Sequence, residues 1–342
     1  MPIATESLMG LANAQEYKQT RARLWLRKSW AGELVRTYRS CRREFSAWAR
    51  ADEWTHPKAE RLSESLAVLH ALAPDAVNGA SDAEAPIFLL STGWRAGSTL
   101  LQRILVTDPR LLLWGEPLGD MVLVSRITQM LSEFLSPLSQ RLWKNQAIPS
   151  SSSLATSWIA NLYPPGDDFR SAIRGLFDRW LGEPARQRGF VRWGFKEVRL
   201  GAAEAILLHW LYPHAKFVIA SRHPYDCYRS FSDSKWRHIY HRYPEVPIDS
   251  AIGFARHWNR LAVSWSRLPA TFPVRHIKYE DLLMGEVDFR EIEAWLGLKI
   301  QENVALSVSL GSTATRSRLT WPERLIIARE AAAGMHALGY GK

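Results

Sequence analysis

Two short stretches of this chain carry residue types and spacings suited to anion chemistry. The first, "STGWRAGST" from Ser91 to Thr99, sets Gly93 and Gly97 around a turn that holds Arg95 and Ala96 and opens on Ser98 and Thr99. A helix starting at that Ser-Thr pair presents unbonded first-turn N–H groups and the positive end of its dipole to the turn, an arrangement that binds phosphate. The nucleotide-loop spacing GxxxxGK[ST] is not met. Three residues separate the glycines, Ser98 stands where the lysine would be, and Arg95 lies inside the loop instead. The second stretch is "SRHPYDCYRS", Ser221 to Ser230, where Arg222 ends an apolar run and Pro224 and Asp226 suit a first helical turn. Ser230 follows Arg222 by eight positions, about two turns, so the serine lies on one face of a helix that the arginine precedes. Taken alone, this stretch reads first as an ordinary capped helix with an arginine ion pair.

Residues of this kind need rigid elements behind them, and the sequence supplies an alternating series. Ile87–Ser91 is a short apolar run, a helix follows near Ser98–Val106, and "LLLWG" (Leu111–Gly115) is another short run ending in a turn. "FVRWGFKE", "KFVIAS" (Lys216–Ser221) and "FPVRHIKYEDL" read as further strands, with a helix running through Cys227. Short apolar runs alternating with helical stretches predict an α/β domain: a P-loop-type parallel sheet flanked by helices. Residues 1–50 read as a basic helical extension with Leu24, Leu26, Leu34, Tyr38 and Phe45 at apolar-stripe spacing. The small, polar segment "APDAVNGASDAEA" marks a boundary, which divides the chain into an extension, 1–85, and a main domain, 86–342. The stretch Ala147–Asp168, rich in serine, proline and aromatics, breaks the alternation and reads as a long connection or acceptor loop.

Composition narrows the function classes. The chain has 342 residues, 46% hydrophobic and 23% charged, which is ordinary for a globular protein and argues against disorder. Its net charge of +10 favours an anionic ligand, a polyanionic acceptor or a membrane surface. Cys41 and Cys227 make neither a disulfide framework nor a metal-ligand set, so a reducing compartment is expected. No segment approaches the roughly 18 apolar residues of a membrane span, and the opening residues lack the apolar run of a secretion signal, so the expected location is cytoplasmic. His238 and His241 have no third ligand nearby in sequence, and no metal is expected.

The two anion motifs, in this order on successive strand ends, resemble the sulfotransferase family that takes 3′-phosphoadenosine 5′-phosphosulfate (PAPS) as donor. "RAGSTLL" is similar to that family's 5′-phosphosulfate loop and "RHPYDCYRS" to its RxPxDxxxS 3′-phosphate motif. "KYEDL" and the closing "TWPERLIIAREAAAGMHALGY" resemble further family stretches, the last in the carbohydrate and tyrosyl-protein branches. The resemblance extends over about Pro86–Tyr340. It implies that Arg95 touches the 5′-phosphate, that Ala96, Gly97, Ser98 and Thr99 form the loop, and that Arg222 and Ser230 hold the 3′-phosphate. Tyr279 then lies near the nucleoside, and Lys196 in "WGFKEVR" neutralises the bridging and sulfuryl oxygens.

Sulfuryl transfer, like phosphoryl transfer, is an in-line displacement whose charge spreads over non-bridging oxygens, so positioned cations do much of the catalysis. The acceptor hydroxyl also needs a base. Family members acting on small phenols carry a histidine two residues after the lysine, where this chain has Val198. Glu116 in "LLLWGEPLGD", about seventeen residues beyond the loop, resembles the base-bearing glutamate of the carbohydrate and tyrosyl-protein branches. The roles of Glu197 and Arg199 stay open.

The expected acceptor is a hydroxyl-bearing glycan, with a peptide tyrosine second. Trp94 and Trp236 are acceptor-side candidates, since aromatic faces stack on sugars. The basic N-terminal region offers a contact to a membrane surface, and no recognition module points to specific nucleic acid. Two other classes stay open at this point: a P-loop kinase or nucleotide hydrolase, and a non-catalytic basic binding protein.

Overall fold

The computed structural model describes residues 30–48, 84–116, 122–132, 152, 156, 166–234, 248–301 and 318–341. Trp236, His238, His241, Leu24, Leu26 and most of 147–168 lie outside them. In chain order the elements begin with helix α1 (Trp30–Trp48), strand β1 (Ile87–Ser91), α2 (Ser98–Leu105), β2 (Leu111–Trp114) and α3 (Leu123–Ser132). Next come α4 (Gly166–Phe177), running through a π-helical turn (Asp178–Gly182) into α5 (Glu183–Gln187), then β3 (Arg192–Lys196) and α6 (Ala202–Leu211). The remainder is β4 (Lys216–Ser221), α7 (Pro224–Ser232), α8 (Ala251–Ser266), β5 (Val274–Lys278), α9 (Tyr279–Met284), α10 (Phe289–Leu296), α11 (Trp321–Glu330) and α12 (Ala332–Ala337).

The five strands form one wholly parallel sheet in the order β2-β3-β1-β4-β5. β1 and β3 are buried along their whole length; β1 accordingly reads as an apolar run up to Ser91, while β3 buries a charged residue at each end, Arg192 and Lys196. Their side chains still divide by the period of two. Phe88 and Leu90 face a core with Phe195, Phe217 and residues of α3, α4, α6 and α8. Ile87 and Leu89 face the opposite core, with Leu101 and Leu105 of α2 and Ile292 and Leu296 of α10. Gly194, in the middle of β3, is required by close packing: a Cβ there would sit 1.7 Å from the Ile87 carbonyl oxygen and 2.9 Å from Leu113 Cδ2.

α1 is tied to this body by polar side chains. The Glu44 carboxylate accepts the amides of Ala251 (2.7 Å) and Ile252 (2.8 Å), the unbonded first-turn donors of α8. Arg43 donates to Tyr228 Oη at 2.9 Å and pairs with Glu323 at 2.8 Å. Ser40 and Glu44 are therefore the buried side of α1, while Leu34, Tyr38 and Phe45 of the apolar stripe are exposed.

Candidate functional site

Apart from Ser230, which lies along α7, the candidate site residues in the described parts of the chain stand at or just beyond the carboxyl end of a strand, the edge where ligands of open parallel sheets bind. The chain leaves β1, at the centre of the sheet, and turns at once. Gly93 (φ 119°), Arg95 (φ 67°) and Gly97 (φ 88°) all adopt left-handed backbone, and Gly97 caps α2. Alternation of such residues lines successive N–H groups around a concavity. Gly97 is required twice over, since a Cβ would lie 2.3 Å from Tyr279 Cδ2 as well as demanding a positive φ. Gly97 O accepts the amides of Leu100 and Leu101, so the first-turn amides of Ser98 and Thr99 face the concavity without a partner within the helix. Ala96 is buried, while Arg95, which carries a side chain at positive φ, stores of the order of 1 kcal/mol of strain.

That strained arginine joins the two motifs. Arg95 Nε donates to Ser230 Oγ at 2.9 Å, and Arg222 Nη1 approaches the Arg95 carbonyl at 3.4 Å. Arg222 is only 6% exposed, its Nε has no hydrogen-bond partner, and among the described residues no carboxylate pairs with it. Its guanidinium lies over the Tyr279 ring, 4.2 Å from the centroid. Its carbonyl accepts Trp258 Nε1 at 3.2 Å, which fixes the backbone where β4 becomes α7. Tyr279 thus touches both the glycine turn and Arg222. Arg95, Gly97, Arg222, Ser230 and Tyr279 form one cluster, and a buried cation with an unused donor inside it is a place prepared for an anion.

A second cluster sits at the ends of β2 and β3. Lys196 is the last residue of β3 and pairs in register with Leu89 of β1, which brings this cluster alongside the glycine turn. Lys196 Nζ lies 2.5 Å from Glu116 Oε1, while Arg199 Nη2 lies 3.2 Å from Glu116 Oε2. Arg199 also binds Glu197 through both oxygens, at 2.6 and 3.0 Å. Glu197 accepts the Val198 amide at 2.8 Å and is locked to β1 by its own amide, which donates to Leu89 O. Burial pushes the Glu197 carboxyl above its ordinary range, and Arg199 opposes that rise. Glu116 is the most exposed member of the four.

Sequence reasoning placed Glu116 and Lys196 as separate candidates, and the fold makes them an ion pair. It left Glu197 and Arg199 without a role; their signal was the alternation of opposite charges in "KEVR" just past an apolar strand. It missed the group around Tyr340. Tyr340 Oη donates to Glu280 Oε2 at 3.1 Å and is 3.2 Å from Ser221 Oγ. Glu280 in turn accepts the His223 amide at 3.0 Å, so a residue far along the chain supports the start of α7. Trp94, the acceptor-side candidate among the described residues, is 4% exposed and packs against His257, ring centroids 5.0 Å apart. Val198 is buried among apolar side chains. Among the described residues no three His, Cys, Asp or Glu are grouped to hold a metal ion, and no helix is long and apolar enough to cross a membrane.

No curated protein matches the sequence. Among solved structures, the sulfotransferase domain of the Synechococcus PCC 7002 olefin synthase is similar at 19% identity and TM-score 0.37, covering 76% of this chain and 89% of that one. A sulfotransferase from Mycobacterium tuberculosis H37Rv is similar at 15% identity and TM-score 0.36, covering 80% and 84%. One from Mycobacterium avium stands at 14% and 0.35, covering 80% and 85%. The profile of the sulfotransferase family matches residues 86–302, a stretch that contains both clusters and well over half of the chain, and the chain belongs to that family.

Proposed function

We propose that this sulfotransferase takes PAPS as donor and a hydroxyl group of a carbohydrate as acceptor, with Glu116 as the base. The observation that carries the donor reading is Arg222, a nearly buried guanidinium with an unused Nε, cross-tied through Arg95 and Ser230 to a left-handed glycine turn on the neighbouring strand. Two anion sites joined in this way suit a nucleotide that is phosphorylated at both ends. In this reading the amides of Ser98 and Thr99 and the dipole of α2 hold the 5′ end, and Arg222 and Ser230 hold the 3′-phosphate. Arg95, bonded to Ser230, spans the two. PAPS supplies an activated sulfuryl group; the chain supplies orientation and charge. Lys196 neutralises the oxygens on which charge develops, and Glu116 takes the proton of the attacking hydroxyl.

The acceptor class rests on Glu116 and on Val198, which stands where the small-phenol branch has its histidine. A peptide tyrosine is the second choice, because the same carboxylate serves a phenol. Residues 86–342 constitute the catalytic domain in this proposal, and 1–85 an extension whose basic surface meets the acceptor or a membrane.

Thermal shift tests the donor. 3′-Phosphoadenosine 5′-phosphate (PAP) should stabilise the protein without magnesium, and ATP with magnesium should not. Stabilisation by ATP–magnesium alone would overturn the donor reading. Incubation with labelled PAPS and a panel of glycans, lipids and tyrosine peptides, read by mass spectrometry, then identifies the acceptor. Label on tyrosine peptides and none on glycans would reverse the acceptor order.

A further inference from the structure

Glu116 is held by two cations that are not equivalent. Arg199 is anchored: it makes two bonds to Glu197, whose side chain is 4% exposed and whose backbone is bonded into the sheet. Withdrawing Arg199 would leave that carboxylate buried with its charge unpaired, so the arginine stays where it is. Lys196 is tethered by a flexible four-carbon stem, and among the described residues Glu116 is its one carboxylate partner. Its ammonium can therefore leave. The two cations also divide the carboxylate, with Lys196 on Oε1 and Arg199 on Oε2.

We infer that Arg199 is a positioning residue that keeps Glu116 aimed while Lys196 turns from Glu116 to the donor, and that Oε1 is the oxygen that receives the acceptor's proton. The inference rests on the reading of Glu116 as base. In this inference the Lys196 ammonium, now 2.5 Å from Oε1, gives up that contact as it turns to the sulfuryl oxygens, and Oε1 is vacated. Arg199 still grips Oε2, and the carboxylate presents its emptied oxygen without swinging away. The acceptor oxygen then bonds to sulfur as the bond from sulfur to the donor's phosphate oxygen breaks. The electron pair of that bond departs with the phosphate, and the acceptor proton passes to Oε1. The base is thus freed only when a donor is present.

Replacing Arg199 alone strands Glu197, so the test uses Glu197→Gln/Arg199→Gln, in which two amides keep a buried hydrogen-bonded pair without charge. Melting temperature, PAP affinity by calorimetry and kcat are measured for wild type and for this pair, each with and without Glu116→Gln. The pair should retain the melting temperature and bind PAP within about twofold of wild type, while kcat falls about 10- to 100-fold. In the Glu116→Gln background the pair should change kcat no further, because a residue that acts through Glu116 has nothing left to position. Wild-type kcat in the pair would reduce Arg199 to a counter-charge for Glu197. An equal fold loss in both backgrounds would mean that Arg199 acts elsewhere. Wild-type kcat in Glu116→Gln itself would remove the base reading, and this inference with it.

Discussion

Replacing Arg222 with methionine should abolish donor binding without weakening the ligand-free protein. Buried arginines usually stabilise a fold through ion pairs, so the ordinary expectation is a loss of several kcal/mol on substitution. Arg222 is different. Its Nε is unpartnered, its Nη1 reaches the Arg95 carbonyl only at 3.4 Å, and no described carboxylate pairs with it. Its one clear favourable contact is with the Tyr279 ring at 4.2 Å, worth about 1–2 kcal/mol when desolvated. A methionine returns about 0.3–1.5 kcal/mol of that through its sulfur on the same ring. It also removes the cost, about 1–3 kcal/mol, of an unsatisfied buried donor. The melting temperature without ligand should therefore hold or rise. Donor affinity behaves oppositely. Two charge-assisted bonds to a 3′-phosphate, at about 1.5–3 kcal/mol each, amount to roughly 10²- to 10⁴-fold in Kd. With PAP at 100 times the wild-type Kd, wild type gains about 2.7 kcal/mol, and a variant binding 100-fold more weakly gains about 0.4 kcal/mol. Differential scanning fluorimetry with and without PAP reads both quantities. A variant that melts several degrees lower yet keeps the full PAP shift would refute the reasoning and make Arg222 a structural strut.

Glu116→Gln should keep PAP affinity and lower kcat by about 10²- to 10⁴-fold, a split that steady-state kinetics with calorimetry resolves. Glu44→Ala removes the acceptor of the Ala251 and Ile252 amides and should lower stability by about 1–2 kcal/mol per lost cap, read as a lower urea midpoint. Asp108 should contribute to an acid transition. Burial alone would raise its carboxyl, but bonds from the Arg110 side chain and amide and from the Lys299 amide outweigh burial and hold it at about 2. A carboxyl lowered on folding stabilises above its unfolded value near 4, and that stability is lost as pH falls from about 4 to about 2. Asp108→Asn should flatten the stability profile across that window and cost about 2–3 kcal/mol at neutral pH; an unchanged acid limb would exclude Asp108 as its source.

Much of the site was legible because its chemistry is local. The glycine turn needs a strand, a left-handed backbone and a helix start within a dozen residues, and all three are written in order between Ile87 and Leu105. The same holds for Arg222 and Ser230 on one strand end and one helix. The run lengths announced the α/β class too, since strands buried on both faces, such as β1, are rich in apolar residues. What escaped was the side of α1 that docks. Apolar periodicity pointed to Leu34, Tyr38 and Phe45, yet the helix is fastened by Glu44 and Arg43, because the open amides of α8 and the Glu323 carboxylate offer stronger local partners.

By itself, the sequence determined the order of the strands along the chain, the two strand-end turns and the family they announce, for each follows from neighbours along the backbone. Tertiary structure decided which charges meet. The sheet order β2-β3-β1-β4-β5 sets the end of β3 beside both β1 and β2, so that Lys196 and Arg199 close on Glu116 across 80 and 83 positions of chain. The same order sets β4 on the other side of β1, and Arg95 reaches Ser230 across 135 positions. Coulomb attraction depends on distance through space, and only the crossing of the chain at the centre of the sheet fixes those distances.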